Sequence, residues 1–235
     1  MNFAAILAGG KGTRMGNVDK PKQYLNLNGK PIILYTIEKF FIMDEFEAVI
    51  VLCPEAWIES TKDILRKEFG STDKIVVIAG GSDRNGTIAN AIQYIDSHYL
   101  IDDNTVICTH DSVRPFVTYR IIKENLGAMQ ECDACDTVIP ATDTIVQSDD
   151  GRIITNIPNR AALYQGQTPQ TFKVAALRQL QSQLTEEERA QLTDACKIFS
   201  MNGKPVALVE GSTTNMKITY SSDLLMAEAL LTAGA

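Results

Sequence analysis

Phe3-Ala4-Ala5-Ile6-Leu7-Ala8-Gly9-Gly10-Lys11-Gly12-Thr13-Arg14-Met15-Gly16 passes directly from an apolar run into glycines. A run that is apolar throughout, not alternating, reads as a strand covered on both faces, with the glycines as a tight loop at its end. The pattern recurs at 47–52, 74–78 and 105–108, each short and rich in β-branched residues. Helical spacing separates these runs. Ile88, Ala91, Ile92 and Ile95 form one stripe on a helix over 85–94, and Ile32–Phe41 and Ile58–Phe69 are similar. Strand alternating with helix predicts an α/β fold with a mostly parallel sheet. Ligands of such sheets bind at the carboxyl ends of the strands.

The rhythm changes after Pro140. Residues 144–147 and 152–157 are polar and alternating, and Ser148-Asp149-Asp150-Gly151 lies between them. This predicts a β-hairpin with an Asp-Gly turn, protruding as an arm. Helices are expected from Phe172 onward, short strands at 206–209 and 217–219, and a last helix capped by Ser221-Ser222-Asp223 and running to about Leu231. No repeat or low-complexity linker divides the chain, so residues 1–235 read as one domain carrying an arm at about 142–163.

Composition narrows the function classes. The 235 residues are 45% hydrophobic and 22% charged, an ordinary globular balance. A net charge of −7 argues against a nucleic-acid partner but leaves room for a local cationic site for small anions. The first apolar run has no basic residues before it, and no apolar stretch is long enough to span a bilayer. With five irregularly spaced cysteines, the expectation is a cytoplasmic protein with reduced thiols and no membrane partner. Cys132-Asp133-Ala134-Cys135 has the CxxC spacing, but there is no second cysteine pair and the histidines are His98 and His110 alone. A structural role therefore outweighs zinc.

The glycine loop is suited to phosphate, since successive backbone N–H groups form an anion-binding concavity. It lacks the GK[ST] ending of a Walker P-loop, and Met15 stands where a dinucleotide fingerprint needs its third glycine. An NAD-dependent oxidoreductase is thereby disfavoured. Lys11, Arg14, Lys20 and Lys22, in and after the loop, suit a triphosphate. Gly80-Gly81-Ser82-Asp83-Arg84 opens the 85–94 helix, with Asp83 as its cap. Arg84 opposes the helix dipole there, which predicts an anionic partner for it. Asp111, in His110-Asp111-Ser112-Val113-Arg114-Pro115, is a candidate Mg2+ ligand beside a polyphosphate, or a partner of Arg114. His110 reads as a structural hydrogen-bonder. Thr193-Asp194 reads as a helix cap, and Lys217 as a second phosphate clamp.

Taken in order, AGGKGTRMG, PKQ, GGSDR, HDSVRP, TPQ, TDA and NMKIT resemble the cytidylyltransferases of sugar-alcohol phosphates, a family that holds methylerythritol 4-phosphate and ribitol 5-phosphate enzymes. The resemblance covers nearly the whole chain. It implies a three-layer, Rossmann-like nucleotidyltransferase that uses CTP and Mg2+. Arg14, Lys22 and Lys217 match its catalytic cations, and Asp111 its metal-linked aspartate. Leu7, Ala8, Gly9, Gly10, Gly12, Gly80, Gly81, Ser82, Arg84 and Thr87 match the CTP-binding segments. Arg114, Thr144, Arg160, Thr168 and Thr193 match positions around the acceptor, Thr144 and Arg160 completing the site of a partner subunit through the arm. A homodimer is implied. Ser112-Val113 replaces two alanines common in the methylerythritol enzymes, and the segments 163–170 and 193–197 look closer to the ribitol enzymes. The expected acceptor is thus ribitol 5-phosphate, giving CDP-ribitol for teichoic acid or capsule synthesis. The rivals are methylerythritol 4-phosphate as acceptor and a catalytically silent nucleotide-binding module; the intact set Arg14, Lys22, Asp111 and Lys217 opposes the latter.

Overall fold

The computed structural model describes residues 1–10, 20–192 and 194–234. In chain order the strands are β1 (Asn2–Leu7), β2 (Asn26–Leu27), β3 (Lys30–Pro31), β4 (Ala48–Cys53), β5 (Ile75–Ala79), β6 (Val106–Asp111), β7 (Ala134–Pro140), β8 (Tyr164–Lys173) and β9 (Ala207–Glu210). The helices are α1 (Ile32–Phe41), α2 (Ile58–Phe69), α3 (Arg84–His98), α4 (Tyr119–Ala128), α5 (Val174–Gln183), α6 (Glu186–Gln191), α7 (Cys196–Met201) and α8 (Ser221–Thr232). No helix among the described residues is long and apolar enough to cross a membrane.

Among the described residues, seven strands form one sheet in the order β5-β4-β1-β6-β8-β7-β9. Only β8 runs antiparallel to its neighbours, β6 and β7. The mostly parallel α/β fold read from the sequence is present. Alternate residues of the apolar strands serve opposite faces. Phe3 and Ala5 of β1, with Ala48, Ile50 and Leu52 of β4, pack toward α3, α5 and α7. Ala4, Ile6, Val49, Val51 and Cys53 pack toward α1, α2 and α4. Both faces are dry, which is why these strands are apolar without interruption. The chain moves outward from β1 through β4 to β5, then returns to β6 on the other side of β1. That reversal opens a crevice at the carboxyl ends of β1 and β6.

Three expectations are corrected. The arm is not a two-stranded hairpin: residues 141–163 hold a single antiparallel bridge between Gln147 and Asn156. Its flanks have no layer to pack on, and an isolated two-stranded ribbon is marginal in water. Asp150 also captures the N–H groups of Arg152 and Ile153, at 2.8 and 2.9 Å, which competes with a ladder. Phe172 does not begin a helix. It is the penultimate residue of β8, paired with Ile107 and Ala134, and stacks on Phe199 with ring centroids 5.6 Å apart. Residues 217–219 are not a strand. They are extended without a ladder, tied by Ile218 N–H donating to the Val113 carbonyl at 2.9 Å. The last helix starts at Ser221 as expected, but Asp223 caps it from inside, accepting from Thr219 and Tyr220 N–H at 2.7 and 2.8 Å.

Candidate active site

A cavity of about 550 Å³ opens over the carboxyl ends of β1 and β6. Leu7, Gly9 and Gly10 form one wall, continuing the first strand. Gly81, Ser82, Arg84 and Thr87 form another, at the start of α3. Lys22, Asp111 and Lys217 complete the polar floor. Gln23, Asp83, Ser112, Val113 and Thr219 also line it, although sequence reasoning did not name them as site residues.

The α3 wall is set by one glycine and one cap. Asp83 Oδ1 accepts from Gly86 N–H at 2.8 Å. Thr87 Oγ1 accepts from Gly81 N–H at 3.0 Å and donates to the Asp83 carbonyl at 2.7 Å. Gly81 lies so close to the helix that a Cβ there would stand 2.4 Å from Gly86 C and 2.6 Å from Thr87 N. Only glycine fits this approach. Gly10 differs: among the described residues, nothing lies within 4 Å of a Cβ built on it.

Asp111 is the electrostatic centre. Its Oδ1 pairs with Arg84 Nη1, its Oδ2 with Lys217 Nζ at 2.9 Å, and Arg114 Nε stands 3.5 Å from Oδ2. Burial alone would push its pKa up, but Arg84, Lys217 and Arg114 outweigh this and hold the carboxyl well below the usual carboxylate range. The pairing of Asp111 with Arg114 read from the sequence is present, with Arg84 and Lys217 as further partners. The anion that the first turn of α3 called for is this carboxylate.

Lys22 is buried, in a 3-10 turn spanning Lys22–Tyr24, and its Nζ donates to the Ile218 carbonyl at 3.0 Å. The turn is tied to the first strand by Gln23 Nε2, which donates to the Ala8 carbonyl. His110 is fully buried. Its Nε2 donates to the Arg114 carbonyl at 3.1 Å, so its Nδ1 accepts, at 2.9 Å, from Thr168 Oγ1. That hydroxyl in turn accepts from Asp111 N–H at 3.1 Å. Burial pushes the His110 pKa down to about 3, and the ring is a neutral strut. Arg114 Nη1 donates to the Asn215 carbonyl at 2.7 Å, and Asn215 Nδ2 donates to the Thr168 carbonyl at 2.8 Å.

Most of the residues expected in the site are therefore adjacent. Ala8 and Gly80 sit behind the cavity wall, held to β4 through the Leu52 and Cys53 carbonyls at 2.7 and 2.8 Å. Arg114 and Thr168 stand behind Asp111. Thr144 and Arg160 lie on the exposed 141–163 segment, away from the cavity wall, with Arg160 Nη1 donating to the Thr142 carbonyl at 3.0 Å. Gly12, Arg14 and Thr193 lie outside the described residues. Gln170 and Asn215 were missed, although the TPQ and NMKIT segments held their only sequence signal.

The chain matches the family model for IspD, 2-C-methyl-D-erythritol 4-phosphate cytidylyltransferase, over residues 3–233. It is 49% identical over 231 residues to the ribitol-5-phosphate cytidylyltransferase of Lactiplantibacillus plantarum, covering 98% of each chain. Among solved structures it is similar to the 4-diphosphocytidyl-2C-methyl-D-erythritol synthase of Anaerococcus prevotii, with 25% identity, 98% and 96% of the two chains covered and a TM-score of 0.81. It is also similar to the 2-C-methyl-D-erythritol 4-phosphate cytidylyltransferase of Francisella tularensis, with 28% identity, 97% and 98% covered and a TM-score of 0.80. These matches span the sheet, the cavity and both walls, and the chain belongs to the IspD-type cytidylyltransferase family.

Proposed function

We propose that the protein transfers CMP from CTP to D-ribitol 5-phosphate, forming CDP-ribitol and releasing pyrophosphate. The observation that carries this reading is the cavity at the strand ends, where Arg84 and Lys217 pair with Asp111, and Lys22 lines the same floor beside a glycine wall. Such a site accepts a polyphosphate. An oxygen of the acceptor phosphate attacks the α-phosphorus of CTP. The bond from that phosphorus to the bridging β-phosphate oxygen breaks, and its electrons leave with pyrophosphate. Positioning and charge neutralisation supply most of the rate in such transfers. Lys22, Lys217 and Arg14 stabilise the charge that develops on the α-phosphate. Mg2+ binds through one or two carboxylates together with substrate phosphates, and Asp111, now paired with Arg84, Lys217 and Arg114, offers such a carboxylate where Lys217 turns to the phosphates. Asp111 would hold the ion, which supplies neutralisation of the phosphate charge.

Ribitol 5-phosphate is favoured as acceptor by the 49% identity with the L. plantarum enzyme. Thr168 and Arg114 brace the acceptor side, with Thr193. The 141–163 segment exposes Ile145, Val146, Ile153, Ile154 and Ile157, and apolar side chains displayed this way suit burial against a second copy. In the homodimer, Thr144 and Arg160 complete the partner's site. The protein works in the cytoplasm, in synthesis of teichoic acid or capsule. A second reading, methylerythritol 4-phosphate as acceptor, is favoured by the description of the matching family model. Pyrophosphate release with CTP and Mg2+, measured separately with each acceptor, tests both. Preference for ribitol 5-phosphate is expected; preference for the other moves the protein to isoprenoid precursor synthesis, and silence with both overturns cytidylyl transfer.

A further inference from the structure

Gln170 is a polar side chain in the middle of the sheet, 1% exposed, on β8 between β6 and β7. Its Oε1 accepts from Arg84 Nη2 at 3.2 Å. Its Nε2 donates to Asp136 Oδ1 at 3.0 Å and to Asp194 Oδ2 at 2.7 Å. A guanidinium only donates and an ionised carboxylate only accepts, so these partners decide which way the amide faces. A carboxylate at 170 would crowd a third acceptor against two, and an apolar side chain would leave all three partners short of a buried bond. The same amide protons are bonded to Asp136 and Asp194, two of three groups (with Cys196) whose ligand atoms lie within 4.8 Å of one another, and so disfavour a cation there.

The two ends of this relay reach different parts of the site. Arg84 lines the cavity and pairs with Asp111. Asp194 follows Thr193 and accepts from Cys196 N–H at 2.8 Å, which holds the entry to α7. We propose that Gln170 is a positioning residue that couples the Arg84–Asp111 pair on the nucleotide side to Asp194, at the entry to α7, on the acceptor side. The inference rests on the cytidylyl-transfer reading above.

The test uses the full-length protein with CTP, Mg2+ and each of the two acceptors. Wild-type silence with both acceptors defeats the functional reading and the coupling with it; turnover with either keeps the reading and lets the variants decide. In Gln170→Leu, acceptor KM should rise and kcat should fall by about tenfold each, the scale of a small misplacement, while CTP affinity measured without acceptor stays within about threefold. In Gln170→Glu, ionised at pH 8, a similar loss is expected. Once protonated, that side chain recovers one of the two amide donors beside an acceptor for Arg84, so its activity relative to wild type should climb about tenfold toward pH 6. Normal constants in a folded Gln170→Leu protein, or a Gln170→Glu ratio that stays flat with pH, overturn the proposal. A lowered melting temperature without the KM and kcat changes does so as well. Should Gln170→Leu fail to fold, the near-isosteric Gln170→Glu protein carries the test.

Discussion

Arg84, the first residue of α3, pairs through its Nη1 with Oδ1 of Asp111, the last residue of β6. The bond joins the helix that forms one cavity wall to the strand that carries the central carboxylate. It also offsets the unfavourable placement of a cation at a helix N-terminus.

Asp111→Asn should be strongly destabilising. It leaves Arg84 and Arg114 buried without their counter-charge, at a cost of about 3 kcal/mol; Lys217, more exposed, adds little. The folded pKa of Asp111 is depressed, so its stabilisation is present above the unfolded value of about 3.9 and fades as pH falls below it. Urea midpoints from pH 7 to pH 2 should therefore converge between wild type and variant toward acid. Equal midpoints at pH 7 would contradict the ion-pair account.

Asp136 behaves oppositely. Burial pushes its pKa up to about 6, with Asp194 adding to the effect. A raised carboxyl pKa favours the folded state below about 6 and costs stability as pH rises through it. His110, pushed down to about 3 by burial, loses stability as pH falls below its unfolded value of about 6.5. The two slopes oppose each other between about pH 4 and 6. Asp136→Asn removes one, so the variant should lose more stability on acidification from 6 to 4 than wild type does, by on the order of 2 kcal/mol. Parallel pH curves for the two proteins would rule this out.

Gly81→Ala places a methyl group 2.4 Å from Gly86 C and 2.6 Å from Thr87 N. Backbone cannot yield as a flexible side chain can. The α3 wall must shift, and calorimetry should show CTP affinity weakened by about tenfold or more. Gly10→Ala meets no atom of the described residues within 4 Å, so its melting temperature should match wild type.

Lys22→Ala should lower kcat by about a hundredfold while CTP affinity changes much less, because the ammonium acts on charge that develops in the transition state. Steady-state rates beside equilibrium CTP binding separate the two. Normal turnover would remove Lys22 from the catalytic set.

Ile154→Asp introduces a charge on the exposed apolar segment, where Ile153, Ile154 and Ile157 are 67%, 55% and 57% exposed. On the proposed homodimer, light scattering should report a dimer for wild type and a monomer for the variant, with activity falling as the contribution proposed for Thr144 and Arg160 is lost. A dimer of unchanged activity would exclude this segment from the interface.

The sequence by itself determined the α/β architecture. Runs such as Ala48–Cys53 are apolar on both faces, and only a strand between two helical layers needs that pattern. It also determined that the cavity lies at strand ends, since the glycines, Gly81-Ser82 and Asp111 each follow such a run. Arg84 announced an anionic partner through its place at a helix start. Tertiary structure alone decided which anion this is, because Asp111 becomes its neighbour only when β6 lies beside β1. It also decided the fate of 164–173. Tyr-Gln-Gly-Gln-Thr-Pro-Gln-Thr-Phe-Lys is polar and broken by glycine and proline, so no local pattern marks a strand. The segment becomes one because β6 and β7 offer it a ladder on both sides, and its buried Thr168 and Gln170 are satisfied by His110, Asp111, Arg84 and two carboxylates brought from distant parts of the chain. Polar groups with distant partners leave no periodicity in a sequence, and here they stand where the chemistry does.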